Sequence, residues 1–243
     1  MMVKKNRIIK ILKRVWFFLA MSFTAWLIYS YQSKGVADFN FKSDDRIKVY
    51  NDKNYFLFEP SISYSKVLIF YPGAMVDPKA YVPLCRKISK NNIKVYLIKM
   101  PWRLAANGYK LPIELKLLSD KTKTYILAGH SQGAKMAAQF VYENPSLINK
   151  LILIGTTHPR DFSLAESKTP ILKIYGSDDG VADEHTIFKN KSKLPDTAKF
   201  VKIDGANHAQ FGYYGFQFGD NSARISREKQ QSETLRIILD FIK

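Results

Sequence analysis

The chain has 243 residues, of which 46% are hydrophobic and 24% are charged, so it fits one globular domain with a short appendage. A single cysteine, Cys85, excludes an intramolecular disulfide and a cysteine-rich zinc site. The formal net charge of +17 fits a solvated lysine-rich surface, and such a basic surface can also attract polyanions. Because the sequence has no zinc-finger spacing, bZIP-like basic region or RRM-type aromatic motif, we expect no nucleic-acid partner. An anionic lipid or cell-wall polymer fits the charge as well.

The N-terminal part of the chain has the pattern of a membrane segment. Residues 1–34 carry seven basic residues and no acidic one, and residues 15–31 (VWFFLAMSFTAWLIYSY) are uncharged. A 17-residue helix rises about 25 Å, at the short end for a bilayer core of about 30 Å, and the flanking Arg14 and Lys34 can extend to the two interfaces. The positive-inside rule then predicts a cytoplasmic segment at 1–14, a single-pass transmembrane signal anchor at 15–31 and an extracytoplasmic remainder.

A cleaved signal peptide is the alternative interpretation, and it would release the protein as a secreted one. Its basic start and apolar run are both present, but no A-x-A-like cleavage site is evident around Gln32 and Ser33. The sequence favours the uncleaved anchor. A buried helix of a soluble protein fits least well, because the basic flank is dense and the run has no polar face.

The rest of the chain predicts a polar tether at 32–45 and one domain at 46–243. Apolar strands alternate with helical spacing, which is typical of βαβ units in a mostly parallel sheet flanked by helices. Strands are predicted at 67–71, 94–98, 124–128, 151–154, 171–175 and 199–203, helices at 80–90, 111–118, 133–143, 185–189 and 227–242, and one or two antiparallel edge strands at 49–58. Only about 15 residues separate the strands at 151–154 and 171–175, so no large cap domain fits.

A serine lies between a predicted strand and a predicted helix in the segment Gly129-His130-Ser131-Gln132-Gly133. The G-x-S-x-G spacing is a weak pattern alone, but this context is typical of a nucleophile elbow. Such a turn is strained, so small residues two positions before and after the serine avoid clashes. The turn points the hydroxyl out of the sheet, beside the first amides of the following helix, which favour an oxyanion. The sequence therefore predicts Ser131 as a nucleophile.

A serine hydroxyl needs a base, and in this kind of sheet the base and its orienting acid come later in the chain. The segment GSDDG at 176–180 follows one predicted strand, and DGANH at 204–208 follows the last one. Loops after the carboxyl ends of parallel strands are where such sheets place their chemistry. We predict His208 as the general base and Asp179 as its orienting carboxylate. The adjacent Asp178 is the competing candidate for the acid.

Together with Tyr71-Pro72-Gly73-Ala74 after an early strand, these segments resemble the α/β-hydrolase superfamily, and within it the compact serine hydrolases of the dienelactone-hydrolase-like kind. The resemblance covers residues from about 65 to 243. It implies a Ser131, Asp179 and His208 triad in the family's chain order. It also implies an oxyanion hole formed by the backbone N–H groups of Ala74 and Gln132. The resemblance is specific for fold and triad, and it does not identify a substrate.

Several other polar or aromatic residues lie close to these motifs. We expect His130 to point away from Ser131 as a packing or pocket residue, and His158 to be a hydrated loop residue that could line the site. Lys135 is expected to be a solvated helix lysine, although it could pair with a substrate anion. The loop at 209–220 holds five aromatic residues, and it fits equally an aromatic wall of the substrate pocket and a cover over the core.

The sequence thus predicts a membrane-anchored, outward-facing serine hydrolase that cleaves a small or surface-displayed carboxylic ester through an acyl-enzyme. The predicted mechanism needs no cofactor and no metal. An acyltransferase or peptidase on the same triad is one alternative, since water, alcohols and amines compete for the same acyl-enzyme. A non-catalytic surface module that binds anionic polymers is the other, because a fold does not fix a function.

Overall fold

Within the described residues, eight strands form one sheet in the computed structural model, which describes the backbone of residues 2–243 and the side chains from Arg7 onward. The strands are β1 (Ile47–Asn51), β2 (Tyr55–Pro60), β3 (Lys66–Tyr71), β4 (Ile93–Ile98), β5 (Thr124–His130), β6 (Lys150–Ile154), β7 (Ile171–Gly176) and β8 (Lys199–Ile203). Their order across the sheet is β1-β2-β4-β3-β5-β6-β7-β8. Strand β2 runs antiparallel to β1 and β4, and the other neighbours are parallel.

The described chain has helices on both faces of this sheet and one N-terminal helix whose apolar part is not buried against it. They are α1 (Met2–Ser30), α2 (Val82–Ser89), α3 (Leu111–Glu114), α4 (Gln132–Glu143), α5 (Glu184–Lys189) and α6 (Arg227–Ile242). Helices α2 and α6 lie over one face and α4 lies over the other, and successive β5 residues Ile126 and Leu127 belong to the two separate core layers. Strands buried on both faces must be apolar throughout, which explains their near-continuous hydrophobic sequence. The predicted α/β class with a mostly parallel sheet is confirmed.

The connection from β6 to β7 also agrees with the prediction, because residues 155–170 form a loop without a helix and carry no cap domain. Two predicted elements differ from the structure. The helix expected at 111–118 ends at Glu114, since Lys116 adopts a left-handed φ of 55° that a helix does not tolerate. Of the two strands in the 49–58 region, only β1 is at the sheet edge, and β2 is covered by β1 and β4.

The strand order fixes where a ligand can bind. Strand β3 has β4 on one side and β5 on the other, so the chain reverses its direction of travel across the sheet at this point. In open α/β sheets the binding crevice lies outside the carboxyl ends of the strands at such a switch point. The segment after β3 contains Ala74, and the segment after β5 begins at Ser131, so two predicted site residues flank the crevice.

Helix α1 is longer than the predicted apolar segment at 15–31, because the basic residues that precede this segment belong to the same helix. The stretch Arg7–Ser30 is long and apolar enough to cross a membrane, and its most apolar window is not buried against the body. Predicted segment 15–31 lies within this helix except for its last residue. Met1, at the start of predicted segment 1–14, lies outside the described residues.

The segment predicted as a tether, 32–45, does not hang free but lies against the body. Arg86 of α2 pairs with Asp44 at 2.7 Å and donates to the carbonyl of Lys42 at 2.7 Å. The N–H of Lys34 donates to the carbonyl of Tyr213 at 2.7 Å. These bonds attach both ends of the segment to the domain, so α1 joins the domain through a fixed connection.

Candidate active site

Ser131 occupies the strained turn that joins β5 to α4. Its φ of 54° and ψ of −120° are unfavourable for a side-chain-bearing residue, and its N–H donates to the carbonyl of Ile154 at 2.9 Å, which fixes the turn to β6. A Cβ atom at Gly133 would lie 2.2 Å from the Tyr71 carbonyl oxygen, and one at Gly129 would lie 2.5 Å from the Gly133 carbonyl carbon. The two glycines of the motif are therefore required by close backbone packing.

His208 and Asp179 form a buried pair. Nδ1 of His208 lies 2.9 Å from Oδ2 of Asp179, and both side chains are fully buried. The other carboxylate oxygen accepts the N–H groups of Val181 at 2.9 Å and Ala182 at 2.6 Å. A carboxylate that accepts from all these groups holds Nδ1 protonated, which leaves the Nε2 lone pair as the basic site of the imidazole.

Nε2 of His208 is buried and has no hydrogen-bond partner among residues 2–243. Ser131 and His208 line the same cavity, but no hydrogen bond joins the Ser131 hydroxyl to Nε2 within the described chain. Serine–histidine bonds are often long before substrate binds and tighten in the complex. The arrangement leaves Nε2 available to accept a proton from a group in the cavity.

The structure separates the two adjacent aspartates. Asp178 accepts from the guanidinium of Arg224 at 2.9 and 3.0 Å, and these hydrogen bonds hold the pKa of Asp178 below its usual value. Only Asp179 reaches His208. Of the two candidates for the acid, the structure therefore places Asp179 beside the histidine and Asp178 in a surface ion pair.

Of the two predicted oxyanion-hole residues, Gln132 follows Ser131 directly and Ala74 lies in the loop after β3. Gln132 is the first residue of α4, and its N–H has no partner within the described residues, as expected at a helix start. The N–H of Ala74 is likewise unpaired within the part of the chain described, whereas Gly73 and Met75 are held by Tyr81 Oη at 3.1 Å and the Arg103 carbonyl at 2.8 Å. Neighbours fixed in this way hold the Ala74 amide in a defined position.

A cavity of about 260 Å³ opens beside Ser131 and His208. Its lining residues include the cationic side chains of Lys135 and Arg160, the Thr156–Thr157 pair and His158, and none of the lining residues described is a carboxylate. Arg160 Nε donates to Thr157 Oγ1 at 2.8 Å. Lys135 also lies 3.7 Å from the exposed Asp161. The cavity is therefore electropositive, and it favours negative charge on a bound molecule.

Two titratable groups at or next to this cavity have pKa values lowered by burial. Lys173 on β7 is almost fully buried and donates to the carbonyl of His158 at 2.8 Å, and burial together with the Arg160 charge lowers the pKa of Lys173 to about 7. Burial and the nearby Lys135 and Arg160 cations lower the pKa of His158 to about 4. His158 thus lines the cavity, as one interpretation of the sequence allowed, and it is neutral at pH 7.

His130 is buried against His208 and does not line the cavity. Its ring centroid is 4.5 Å from that of His208, and its Nδ1 is 2.8 Å from the hydroxyl of Tyr81. Burial and the neighbouring His208 lower the pKa of His130 well below its usual value, so it packs as a neutral ring. The Tyr81 hydroxyl also accepts the N–H of Gly73, so it links the loop after β3 to His130, which packs against His208.

Asp220 is a positioning residue that the sequence analysis did not identify. It is buried, and its carboxylate accepts the N–H groups of Gly180 at 3.2 Å, His208 at 3.1 Å and Ala209 at 2.8 Å. It therefore binds the loop that carries Asp179 to the loop that carries His208. In the sequence, the Gly219-Asp220 pair at the end of the aromatic loop is typical of a turn, and an aspartate there often accepts backbone N–H groups.

The aromatic loop at 209–220 covers the core and does not form a wall of the cavity. Phe211 and Tyr214 are buried in the core layer under α2 and α6, whereas Phe216 and Phe218 are exposed beside α1. None of these four residues lines the cavity beside Ser131. Cys85 is buried in the same core layer, and burial raises the pKa of its thiol.

Comparisons with known proteins identify the family and the fold. A sequence model described as the alpha/beta hydrolase family matches residues 67–232, more than half of the chain. No curated protein matches the chain. Among residues 2–243, no group of three or more His, Cys, Asp or Glu side chains is arranged to hold a metal ion.

Solved structures with the same fold include several hydrolases. A putative dienelactone hydrolase from Klebsiella pneumoniae is 12% identical with a TM-score of 0.54, over 76% of this chain and 92% of that one. Carboxylesterase CesB (YbfK) from Bacillus subtilis is 11% identical with a TM-score of 0.55, over 82% and 93%. An alpha-beta serine hydrolase homologue from Coxiella burnetii is 14% identical with a TM-score of 0.57, over 83% and 99%. At these identities the likeness shows the fold alone.

Proposed function

Because the chain belongs to the alpha/beta hydrolase family, we propose that it is a serine hydrolase that cleaves a carboxylic ester through an acyl-enzyme on Ser131. The observation that carries this proposal is the buried His208–Asp179 pair, with a 2.9 Å contact at Nδ1 and an unpaired Nε2 at the cavity that Ser131 also lines. A histidine held by a carboxylate at Nδ1, with its Nε2 free beside a serine, is the base-and-orienter arrangement of a Ser-His-Asp triad.

In the proposed mechanism, His208 Nε2 takes the hydroxyl proton as Ser131 Oγ attacks the acyl carbon. The unpaired N–H groups of Ala74 and Gln132 stabilise the oxyanion that forms. His208 then gives its proton to the leaving alcohol as the carbon–oxygen bond breaks. Asp179 keeps Nδ1–H oriented and stabilises the imidazolium throughout. A water molecule, deprotonated in turn by His208, releases the acid and restores the Ser131 hydroxyl.

The proposed substrate is an ester that reaches an open site. No cap domain covers the cavity in residues 2–243, and the Lys135 and Arg160 side chains favour an ester that carries negative charge. Turnover of a soluble aryl ester, with a succinyl half-ester compared against its neutral butyryl counterpart, tests the reaction and the charge preference together. Ser131→Ala should abolish turnover of both while its circular dichroism spectrum stays unchanged.

An added alcohol or amine distinguishes acyl transfer from hydrolysis, and a polymer-binding assay tests the non-catalytic alternative. If the acyl group appears mainly on an added alcohol at millimolar concentration, the protein is an acyltransferase that uses the same nucleophile. If wild-type protein turns over no ester but binds an anionic polymer in a salt-sensitive manner, the non-catalytic surface module replaces the proposal.

We further propose that α1 anchors the protein as a single-pass segment with the domain outside the cytoplasm. The supporting observations are the exposed apolar span Arg7–Ser30 and the basic residues in its N-terminal half. The positive-inside rule then orients the N-terminus toward the cytoplasm. The basic body, with 31 basic and 21 acidic residues after position 34, is thereby kept near an anionic surface.

A further inference from the structure

The end of α1 is bonded to the loop that follows His208. The N–H of Gly215 donates to the carbonyl of Ser30 at 2.8 Å, and the Ser30 hydroxyl donates to the carbonyl of Phe216. Four residues further on, the N–H of Lys34 donates to the Tyr213 carbonyl. This loop leaves the carboxyl end of β8, which is the edge of the sheet that carries His208. The helix is therefore attached to the catalytic edge of the sheet.

Two other loops of the same edge contact the residues just after α1. In the loop after β3, the N–H of Asp77 donates to the carbonyl of Tyr31 at 2.9 Å. In the loop after β4, the guanidinium of Arg103 donates to the side-chain carbonyl of Gln32 at 3.1 Å. Strands β3 and β4 run parallel, so both loops leave the edge at which Ser131 lies. The attachment of α1 thus involves three catalytic-edge loops.

The aromatic loop also extends along the apolar helix itself. Phe216 lies with its ring centroid 6.0 Å from that of Trp26, and Phe218 packs edge-to-face on Phe23 at 5.8 Å. Phe23 is seven residues before Ser30, which corresponds to about 10 Å along a helix axis. If α1 crosses a bilayer, the tip of this loop lies beside a part of the helix that is within the lipid. Phe218 is 67% exposed and Phe216 is 52% exposed, so lipid can reach both.

Two more apolar side chains protrude from the loops bonded to residues 31 and 32. Trp102 is 86% exposed and Met75 is 44% exposed. Both residues adopt a left-handed φ, 56° and 62°, which turns the backbone sharply at each position. The N–H of Met75 donates to the carbonyl of Arg103, so the two loops are joined to each other. A large exposed apolar surface next to an apolar helix is typical of a membrane contact.

We propose that the catalytic edge of the sheet faces the membrane crossed by α1, with an apolar rim (Met75, Trp102, Phe216 and Phe218) immersed in the lipid surface, so that the site takes its ester from a membrane lipid. This inference rests on the proposed function, both the serine hydrolase and the α1 anchor. Immersion of amphipathic surfaces to about 5–10 Å is typical, and it matches the extent of the loop along α1.

The position of the rim can be measured without activity. Phe218→Cys and, as a matched control on the opposite edge, Lys121→Cys are each labelled with an NBD fluorophore in the full chain, since Cys85 is buried and unreactive. Lys121 precedes β5 and is exposed. In phosphatidylcholine vesicles with doxyl-labelled lipid, we expect the label at 218 to lose at least half of its emission and the label at 121 to be unquenched. Equal quenching of the two labels would overturn the proposal.

Lipid-borne and soluble esters test the consequence for substrate. In the double variant Phe216→Ser/Phe218→Ser, we expect at least tenfold slower hydrolysis of 4-methylumbelliferyl oleate in phosphatidylcholine vesicles, and less than a twofold change with a soluble acetate ester. Unchanged hydrolysis of both esters by this variant would contradict lipid access through the rim. If the wild-type protein cleaves neither ester, the hydrolase proposal fails, while the labels at 218 and 121 still decide whether the edge faces lipid.

Discussion

At the residue scale, two neighbouring aspartates take different positions because of the turn in which they lie. Asp179 is fixed from one side by the N–H groups of Val181 and Ala182 and accepts from His208 on the other. Asp178 points to the surface, where Arg224 neutralises it. Adjacent side chains in an extended or turn backbone point in opposite directions, so only one of the two can reach the histidine.

Replacement of each aspartate separates their roles. Asp179→Asn should lower kcat on a soluble ester about a thousandfold or more, because an amide neither holds Nδ1 protonated nor stabilises the imidazolium. Asp178→Asn should stay within threefold of the wild type, because it removes only an exposed ion pair. Both kcat values are measured on variants whose circular dichroism spectra match that of the wild type. Similar losses in both variants would show that Asp179 has no special role.

The buried Lys173 side chain should make the stability of the fold depend on pH. The pKa of Lys173 is about 7 in the folded protein, whereas its ordinary value, which applies to the unfolded chain, is 10.5. Between these two pH values the unfolded chain therefore binds more protons than the folded protein. The free energy of unfolding should therefore rise with pH from about 7 to about 10, by a few kcal/mol from this residue. Urea unfolding in detergent at pH 7 and pH 9.5 measures the rise, and Lys173→Met should lack it. Equal rises in the two proteins would contradict the assignment.

At the element scale, the turn from β5 to α4 works because two backbone segments approach without side chains between them. The position of the Gly133 Cα against the carbonyls of Tyr71 and Pro72 brings the end of β3 next to the start of α4. Because β3 and β5 are parallel, the loop that carries Ala74 leaves the same edge of the sheet as the turn that carries Ser131. Packing between elements, and not the motif alone, thus creates the site.

This packing can be tested at two glycines. Gly133→Ala should destabilise the fold by about 3 kcal/mol or more, because its Cβ would clash with backbone atoms that cannot move. Gly219→Ala has open space around its Cβ and only a positive φ of 86°, so it should cost about 1 kcal/mol and retain activity. Thermal unfolding of both variants decides the matter. A Gly133→Ala protein as stable as Gly219→Ala would mean that the turn is looser than described.

The sequence allowed most of the elements to be predicted because buried strands and amphipathic helices have local periodicity. Strand β8 and helix α6 have the predicted bounds, and the Ser131, Asp179 and His208 segments follow the predicted strands. Helix α3 was predicted too long, since the left-handed backbone at Lys116 leaves no mark on apolar spacing. Asp220 was missed because its partners, Gly180 and His208, are distant in sequence or bind only through backbone atoms.

At the scale of the whole molecule, long-range contacts determine how the N-terminal helix meets the domain. Residues near Ser30 and Phe216 are 186 positions apart, so no local pattern could predict their contact. The segment 32–45 was predicted as a polar tether because its contacts are also distant in sequence: Arg86 donates to the Lys42 carbonyl and to the Asp44 carboxylate. The charge distribution, by contrast, could be taken directly from the sequence.

We expect the N-terminal helix to stay on the mature protein. The full chain should be found in the membrane fraction after an alkaline carbonate wash, with an intact mass of 28.0 kDa. The bonds of Ser30 and Lys34 to the aromatic loop make the end of the helix part of the folded structure. A soluble product that lacks about 30 N-terminal residues would instead establish a cleaved signal peptide.

The central claim, an activated serine at position 131, is tested most directly by covalent labelling with a fluorophosphonate followed by peptide mapping. We expect one modified residue, Ser131, in the wild-type chain, and no modification in Ser131→Ala or His208→Ala. Folded wild-type protein that takes up no label, or a label on a different serine, would contradict it.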